Sequence, residues 1–437
     1  MWLLLFLLFD LPCQLLAIIS RRRSAMRVED SFMLMETATN HCNIVAVVEL
    51  DGTPLDLSAL STIMDHTFVS RLPAASSKGQ CGSLRWPRFR QRPVNLWGHW
   101  HWEDVGGNFD ISAHVREEQG IDNEQALAEL LGRMQSEAMD LSRPLWDVVL
   151  ARPGANGSST VLFRVHHAMG DGIALVRVLL EALDGSSQAT APPNVGSRST
   201  ANLGLLLLQA PLFGLEQLLQ PRDSCRFKPT VLNGEKRVAF SPTVELQRVK
   251  DLARKQSSTV TAVIAACFAR ALASGERLTC WVPVSLTPHN DGHAEMRNDL
   301  AFVAMTMDGS LVATNALLQE VKSSSEAPTL RLVLWAAMHL LPLPVSRPFF
   351  DLIGNKATGV FSSVPGPTSE LSWDGHRVAS LRFLVPQRSG VALGLSAVSY
   401  AGSLRVAVSA DSAALEEPGP VARGWVTALE ELEREVV

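Results

Sequence analysis

Between residues 161 and 183 the hydrophobic pattern changes period, and two adjacent histidines sit at the change. Val161-Leu162-Phe163-Arg164-Val165 is an apolar, β-branched run that reads as a buried strand. Over 173–183 apolar residues recur at helical spacing. His166-His167-Ala168-Met169-Gly170-Asp171-Gly172 lies between them, so the histidines stand at a strand end, in a tight glycine-containing turn, just before a helix. A strand end brings a side chain to the edge of a sheet, where a cavity can open. An imidazole there takes a proton at neutral pH without a metal and without a covalent intermediate.

Strand and helix patterns mix along the whole chain, which predicts an α/β (α+β) class. Helical periodicity over 124–139 precedes a strand at 146–150. In the second half helices are expected at 243–255, 259–274 and 312–324, with a terminal helix at 420–435. Strands are expected at 279–285, 300–308, 393–399 and 404–409. A length of 437 residues suits two domains of about 200 residues each. The Ser/Pro/Gly-rich stretch 185–200 is the best boundary between them. The expected division is 1–25, a hydrophobic membrane segment; 26–184, a first domain holding the histidine pair; 185–235, a linker and apolar interdomain segment; and 236–437, a second domain.

Hydrophobic residues make up 46% and charged residues 19% of the chain, which favours an apolar substrate or membrane contact. A net charge of -5 argues against a nucleic-acid partner. The six cysteines lack metal-ligand spacing and read as reduced thiols. The histidines outside the pair form no ligand cluster, so no metal is expected.

Residues 1–20 are strongly apolar and Arg21-Arg22-Arg23 follows them. The run just reaches membrane-spanning length, but Asp10, Pro12 and Gln14 interrupt it. It either spans the bilayer or lies in its surface, and the arginines hold the rest of the chain on the cytoplasmic side. Residues 75–100 are dense in Arg and Trp and read as solvated loops with docking tryptophans, or as a groove for an anionic ligand. Residues 203–219 and 330–345 are apolar but broken by prolines. Each is a core or interdomain helix, or a wall touched by an acyl chain or a membrane.

The histidine run resembles the active-site motif of the CoA-dependent acyltransferase superfamily. Further stretches narrow the resemblance to the wax ester synthase/diacylglycerol acyltransferase family. They are Arg27 to Met33, Trp102-Glu103-Asp104 with Phe109-Asp110 and His114-Val115, and Asp140 to Trp146 with its Pro144-Leu145-Trp146 block. In the second half they are Trp281 to Leu286, Asn298, Val364-Pro365-Gly366-Pro367, and Ser399-Tyr400 with Asp411. One stretch departs: Thr261-Ala262 stands where the family has an Asn-Asp pair that supports the active site from the second domain, which leaves room for weakened activity or for support by Asn298 or another polar group.

The resemblance implies two chloramphenicol-acetyltransferase-like domains with the active-site tunnel between them. It makes His167 the general base for transfer of a long-chain acyl group from acyl-CoA to diacylglycerol or a fatty alcohol. No cofactor is implied beyond acyl-CoA as substrate. His166 is expected beneath the turn as a structural residue. Asp171 either orients the imidazole or faces away and pairs with an arginine, and the family favours the second. Gly172 is expected to permit the tight turn. Pro144, Leu145 and Trp146 are expected along the substrate path with Asn298, as packing that shapes the tunnel rather than as chemical groups. The implied setting is a membrane or lipid-droplet surface, at the endoplasmic reticulum with the catalytic part facing the cytosol. Two alternatives remain: a condensation-type acyltransferase, and a non-catalytic lipid-binding protein motivated by Thr261-Ala262.

Overall fold

The computed structural model describes residues 23–73, 84–96, 99–151, 158–184, 203–272, 277–285, 295–340 and 343–436. The apolar run before residue 23 and the boundary stretch 185–200 lie outside the described residues. The last part of the expected membrane segment is a strand, Arg23–Ala25, paired with His99–Asp104.

Two mixed sheets form the frame. The first has the order Ser372–Trp373, His376–Leu384, Asn43–Asp51, Ser159–His166, Trp146–Ala151, Val115–Glu118. The second runs Leu300–Met307, Leu278–Ser285, Gly359–Val364, Leu393–Tyr400, Ser403–Asp411, Lys236–Phe240, with Val244–Glu245 pairing beside it. Asn43–Asp51 and Ser159–His166, at the centre of the first sheet, are mostly buried and rich in β-branched residues, as a strand covered on both faces must be.

Helices start where the sequence supplies caps. Asn123 Oδ1 accepts the Ala126 N–H ahead of Glu124–Ser136, and Asp56 Oδ1 accepts the Ala59 N–H ahead of Leu57–Met64. Val260–Leu272 is buried almost throughout and carries the core of the second half against Gly419–Glu435. There the Trp425 indole N–H donates to the Ile264 carbonyl.

Three expectations need correction. The second half does not begin and end as a unit at 236–437, because Ser372–Trp373 and His376–Leu384 cross over to complete the first sheet. His376–Leu384 runs antiparallel to Asn43–Asp51, with Leu384 opposite Val45 and Phe383 opposite Ala46. The strand edge of Asn43–Asp51 would otherwise leave backbone groups unpaired beside a buried face. Within the expected loop stretch 75–100, residues 91–96 and 99–100 are not loops: Gln91–Leu96 and His99–Asp104 pair antiparallel and form a small third sheet with Arg23–Ala25. Trp86 and Trp102 are core residues, and Arg85 is ion-paired to Glu181. The expected helix at 243–255 begins only at Leu246, because Val244–Glu245 first pairs with Ser403 and Leu404.

Leu384 lies in a cluster that joins the halves. Its neighbours include Val45, Val47, Leu130 and Leu131 from the first half, with Val238 and Ala407 from the second. Leu384→Ala is expected to lower unfolding free energy by about 2–5 kcal/mol, measured by chemical denaturation.

Candidate active site

The strand Ser159–His166 ends on His166, and His167–Met169 turns as one short 3-10 segment before the helix Gly172–Asp184. The predicted strand–turn–helix is therefore present, and both histidines are buried. The His166 Nδ1 accepts the Ala168 N–H at 3.0 Å, so its proton resides on Nε2 and is donated to Glu36 Oε1 at 3.0 Å. Burial opposes ionisation of Glu36. Bonds from His166, His41 and the Cys42 N–H outweigh it and hold the carboxyl down at about 2. His166 thus fixes the turn from beneath, with both ring nitrogens engaged in hydrogen bonds.

The His167 ring is set by Asn298. One Asn298 Nδ2 hydrogen goes to the His167 carbonyl at 2.8 Å and the other to Asp30 Oδ1 at 2.9 Å. With both amide hydrogens committed, Oδ1 is the acceptor that faces His167 Nδ1 at 2.8 Å. The imidazole proton is therefore on Nδ1. Nε2 keeps its lone pair and has no protein partner among the described residues. The Asn298 N–H also donates to Asp30 Oδ1 at 3.0 Å. Asp30 in turn accepts from Arg88 Nη2 at 2.6 Å, and Arg88 Nη1 donates to the Met169 carbonyl at 2.8 Å. The loop is closed: turn, opening helix Val28–Met33, Arg88 and the second half all hold one another.

Burial pushes the His167 imidazole below its ordinary value, while the nearby Asp171 charge and the Asn298 bond oppose it. The ring is therefore neutral at neutral pH, the state a base requires.

Among the described residues Asp171 makes no hydrogen bond to the His167 ring and no ion pair with an arginine. Its Oδ1 accepts the Ala174 N–H at 2.8 Å, capping the helix, and its Oδ2 accepts the Asp299 N–H at 3.0 Å. The carboxylate is a staple between the turn and the second half.

His167, Asp171, Gly172 and Ile173 line one wall of a cavity whose far walls come from the second half: Thr261, Trp281, Phe302, Phe361, Val364 and Leu334 among them. Most lining side chains are apolar. Gly172 begins the helix, and a Cβ there would only touch Val364 at an ordinary 3.7 Å, so tight turn geometry does not require it. The glycine that geometry does require is Gly366, where a Cβ would collide with the Ser399 carbonyl oxygen at 2.0 Å. That close approach holds the Val364-Pro365 turn against the cavity.

The four residues expected along the substrate path do not line the cavity. Asn298 is wholly buried behind His167. Leu145 and Trp146 are core residues: the Trp146 indole N–H donates to the Phe89 carbonyl, and its ring stacks on His114 at 4.4 Å. Their backbone positions the histidines, since the His166 N–H donates to the Leu145 carbonyl at 3.0 Å. Pro144 precedes them, buried, at the start of that strand. Asp30, Arg88 and Glu36 were not singled out by sequence reasoning. A faint signal existed for Asp30, an acidic residue inside the otherwise matching opening stretch.

This arrangement can remove a proton from a hydroxyl presented in an apolar, two-sided cavity. Models of the wax ester synthase/diacylglycerol acyltransferase catalytic domain and of the WS/DGAT C-terminal domain match residues 26–212 and 310–433. The chain belongs to the wax ester synthase/diacylglycerol acyltransferase family. Similar relatives include a putative diacylglycerol O-acyltransferase of Mycobacterium tuberculosis, 25% identical over 92% of this chain and 88% of its own length. A probable diacylglycerol O-acyltransferase of the same organism is 24% identical over 91% and 93%. Among solved structures, the family's enzyme from Marinobacter aquaeolei VT8 superposes with a TM-score of 0.64 at 20% identity, covering 94% of this chain and 99% of that one. A condensation domain of the calcium-dependent antibiotic synthetase has a TM-score of 0.59 at 12% identity, over 95% and 96%. The fold is thus the two-domain acyltransferase fold that the resemblance implied. Family membership also frames Thr261-Ala262: Thr261 lines the cavity and Ala262 is core, while Asn298 supplies the support to the base.

Histidine titration by NMR should find the His167 ring neutral where an exposed histidine, with a pKa of about 6.5, is half protonated. Protonation should come only at lower pH, following the downward shift.

Proposed function

We propose that the chain is an acyl-CoA-dependent O-acyltransferase that moves a long-chain acyl group onto diacylglycerol or a long-chain fatty alcohol. The product is triacylglycerol or a wax ester. The observation that carries this reading is the His167 Nε2 lone pair, fixed by Asn298 and directed at an apolar cavity. Nε2 takes the proton of the acceptor hydroxyl as its oxygen bonds to the thioester carbonyl carbon. The tetrahedral adduct collapses, the C–S bond breaks, and the imidazolium returns the proton to the departing CoA thiolate. His167 ends neutral and no acyl-enzyme forms. Alignment and proton transfer suffice because the thioester is already activated, the base contributing about 10²–10⁴ in rate.

The reading includes work at a membrane or lipid-droplet surface, on the cytosolic face of the endoplasmic reticulum. It is supported by the helix Leu203–Leu219, whose Leu208, Leu212, Leu215 and Leu219 are 75%, 69%, 52% and 73% exposed. The same helix turns Gln217 into the cavity, so one element borders both lipid-facing surface and substrate space. A soluble surface rarely carries such a row without a partner. Among the described residues no helix is long and apolar enough to cross a membrane, and contact through this face would be lateral.

His167→Ala should lower ester formation from palmitoyl-CoA by about 10²-fold or more with folding intact by circular dichroism. Ester synthesis that survives the substitution removes the general-base assignment. Asn298→Ala, which frees the ring to change tautomer, should cost on the order of 10²-fold. Its pH–rate profile should lose activity on the acid side at a different pH from the wild type. Leu212→Glu with Leu215→Glu should reduce cosedimentation with phospholipid vesicles while leaving His167 titration unchanged.

A further inference from the structure

The polar groups along the cavity differ in what an occupant can reach. Arg388 Nε and Nη2 and Gln217 Oε1 lack hydrogen-bond partners but are enclosed by protein. Asp171 is taken up by two backbone N–H groups. Glu29 is neither. Glu29, Phe32 and Met33, spaced i, i+3 and i+4 on the helix Val28–Met33, line the cavity as one helix face. Asp30, one residue on, turns away to Asn298 and Arg88. Arg331 meets Glu29 from the helix Glu326–Leu340, whose Leu330, Val333 and Leu334 line the same cavity.

Arg331 occupies only one oxygen of the carboxylate. Its Nε and Nη2 each lie 3.0 Å from Glu29 Oε1, and its Nη1 goes to Asp299 Oδ1 at 2.8 Å. Glu29 Oε2 has Arg27 Nε at 3.6 Å, too long for a hydrogen bond, and no other partner among the described residues. Unlike the Arg388 and Gln217 atoms, Oε2 is not enclosed. Arg331 and Arg27 already bring positive charge to this carboxylate, so Oε2 lacks a hydrogen-bond donor rather than a cation. A neutral O–H meets that need. The other cavity residues on these two helices are apolar, which suits an alkyl chain carrying the hydroxyl and offers no partners to the amides of a pantetheine arm. The same wall holds the base: Asp30 accepts from Asn298, and Asn298 Oδ1 fixes the His167 ring.

We propose that Glu29 is a specificity-determining residue whose Oε2 accepts a hydrogen bond from a second free hydroxyl of the acceptor, favouring a vicinal-diol lipid over a plain fatty alcohol. The inference rests on the acyltransferase reading of the cavity. The simplest glyceride of this kind is a monoacylglycerol. Transfer itself is unchanged: one hydroxyl oxygen bonds to the thioester carbon, the C–S bond breaks, and CoA leaves as the thiol with the proton that His167 carried. The second hydroxyl stays in the product. A site that hydrogen-bonds a substrate hydroxyl discriminates against the analogue that lacks it.

The test uses the purified full chain with palmitoyl-CoA and a matched pair of acceptors, a vicinal decanediol and decanol. Wild type should prefer the diol in kcat/KM. Glu29→Gln keeps an oxygen for Arg331 and replaces the charged acceptor by an amide, whereas Glu29→Met removes both. The diol-over-alcohol ratio should fall roughly 10- to 100-fold in Glu29→Met, the effect of losing a hydrogen bond to a charged group, with Glu29→Gln in between. Arg331→Met, which removes the ion pair and leaves the carboxylate, should keep the diol preference. A fall in Arg331→Met as large as in Glu29→Met assigns the effect to the ion pair and overturns the proposal. So does a wild type without diol preference, an equal loss on both acceptors, or a change confined to the KM of palmitoyl-CoA. Wild type that turns over neither acceptor refutes the acyltransferase reading instead. Glu29 is then judged by calorimetric binding of the two acceptors without acyl-CoA: Glu29→Met must weaken the diol and spare the alcohol, and equal effects overturn it.

Discussion

A single side-chain amide carries the site. Asn298 donates to Asp30 and to the His167 carbonyl and accepts from the His167 ring, so it chooses the tautomer, holds the turn and ties the second half to the first. All of these contacts are buried, where a hydrogen bond is strong when made and expensive when broken. The consequences run outward. Asp30 needs Arg88, Arg88 needs the Ala168 and Met169 carbonyls, and Asp171 needs the Asp299 N–H beside Asn298. The placement of the His167 Nε2 lone pair is thus a property of the interface between halves and not of the histidine motif alone.

The motif was legible because its geometry is local. A strand, a short turn and a capped helix leave their marks in residue spacing, and His166, His167 and Asp171 all stand where that spacing put them. The long buried helices and central strands were equally plain, since packing on one face imposes a period. The Asn298 position was visible as a resemblance, and its task only as one of two: the substrate path, or support of the site in place of the missing Asn-Asp pair. A side chain placed against the substrate and one placed behind the base look alike in a sequence, and only the three bonds tell them apart.

What escaped the sequence is long-range. His376–Leu384 has the composition of any strand, and nothing in it says that its partner is Asn43–Asp51, more than 300 residues away. The strand pair Gln91–Leu96 and His99–Asp104 was hidden by arginines and tryptophans, which resemble loop residues until Trp102 is seen in the core and Arg92 against Glu103. Leu145 and Trp146 belong to the Asp140 to Trp146 stretch of the resemblance, which suggests packing around a tunnel. Their burial against Phe89 and His114 makes them supports for the turn.

The strand exchange has a mechanical consequence. Opening the two halves like a jaw would tear His376–Leu384 from Asn43–Asp51 along its whole ladder, and would break the Leu384 cluster at the same time. The seam between the halves is welded, so lipid cannot be clamped and released by a wide hinge. Any opening of the cavity must therefore leave that ladder intact.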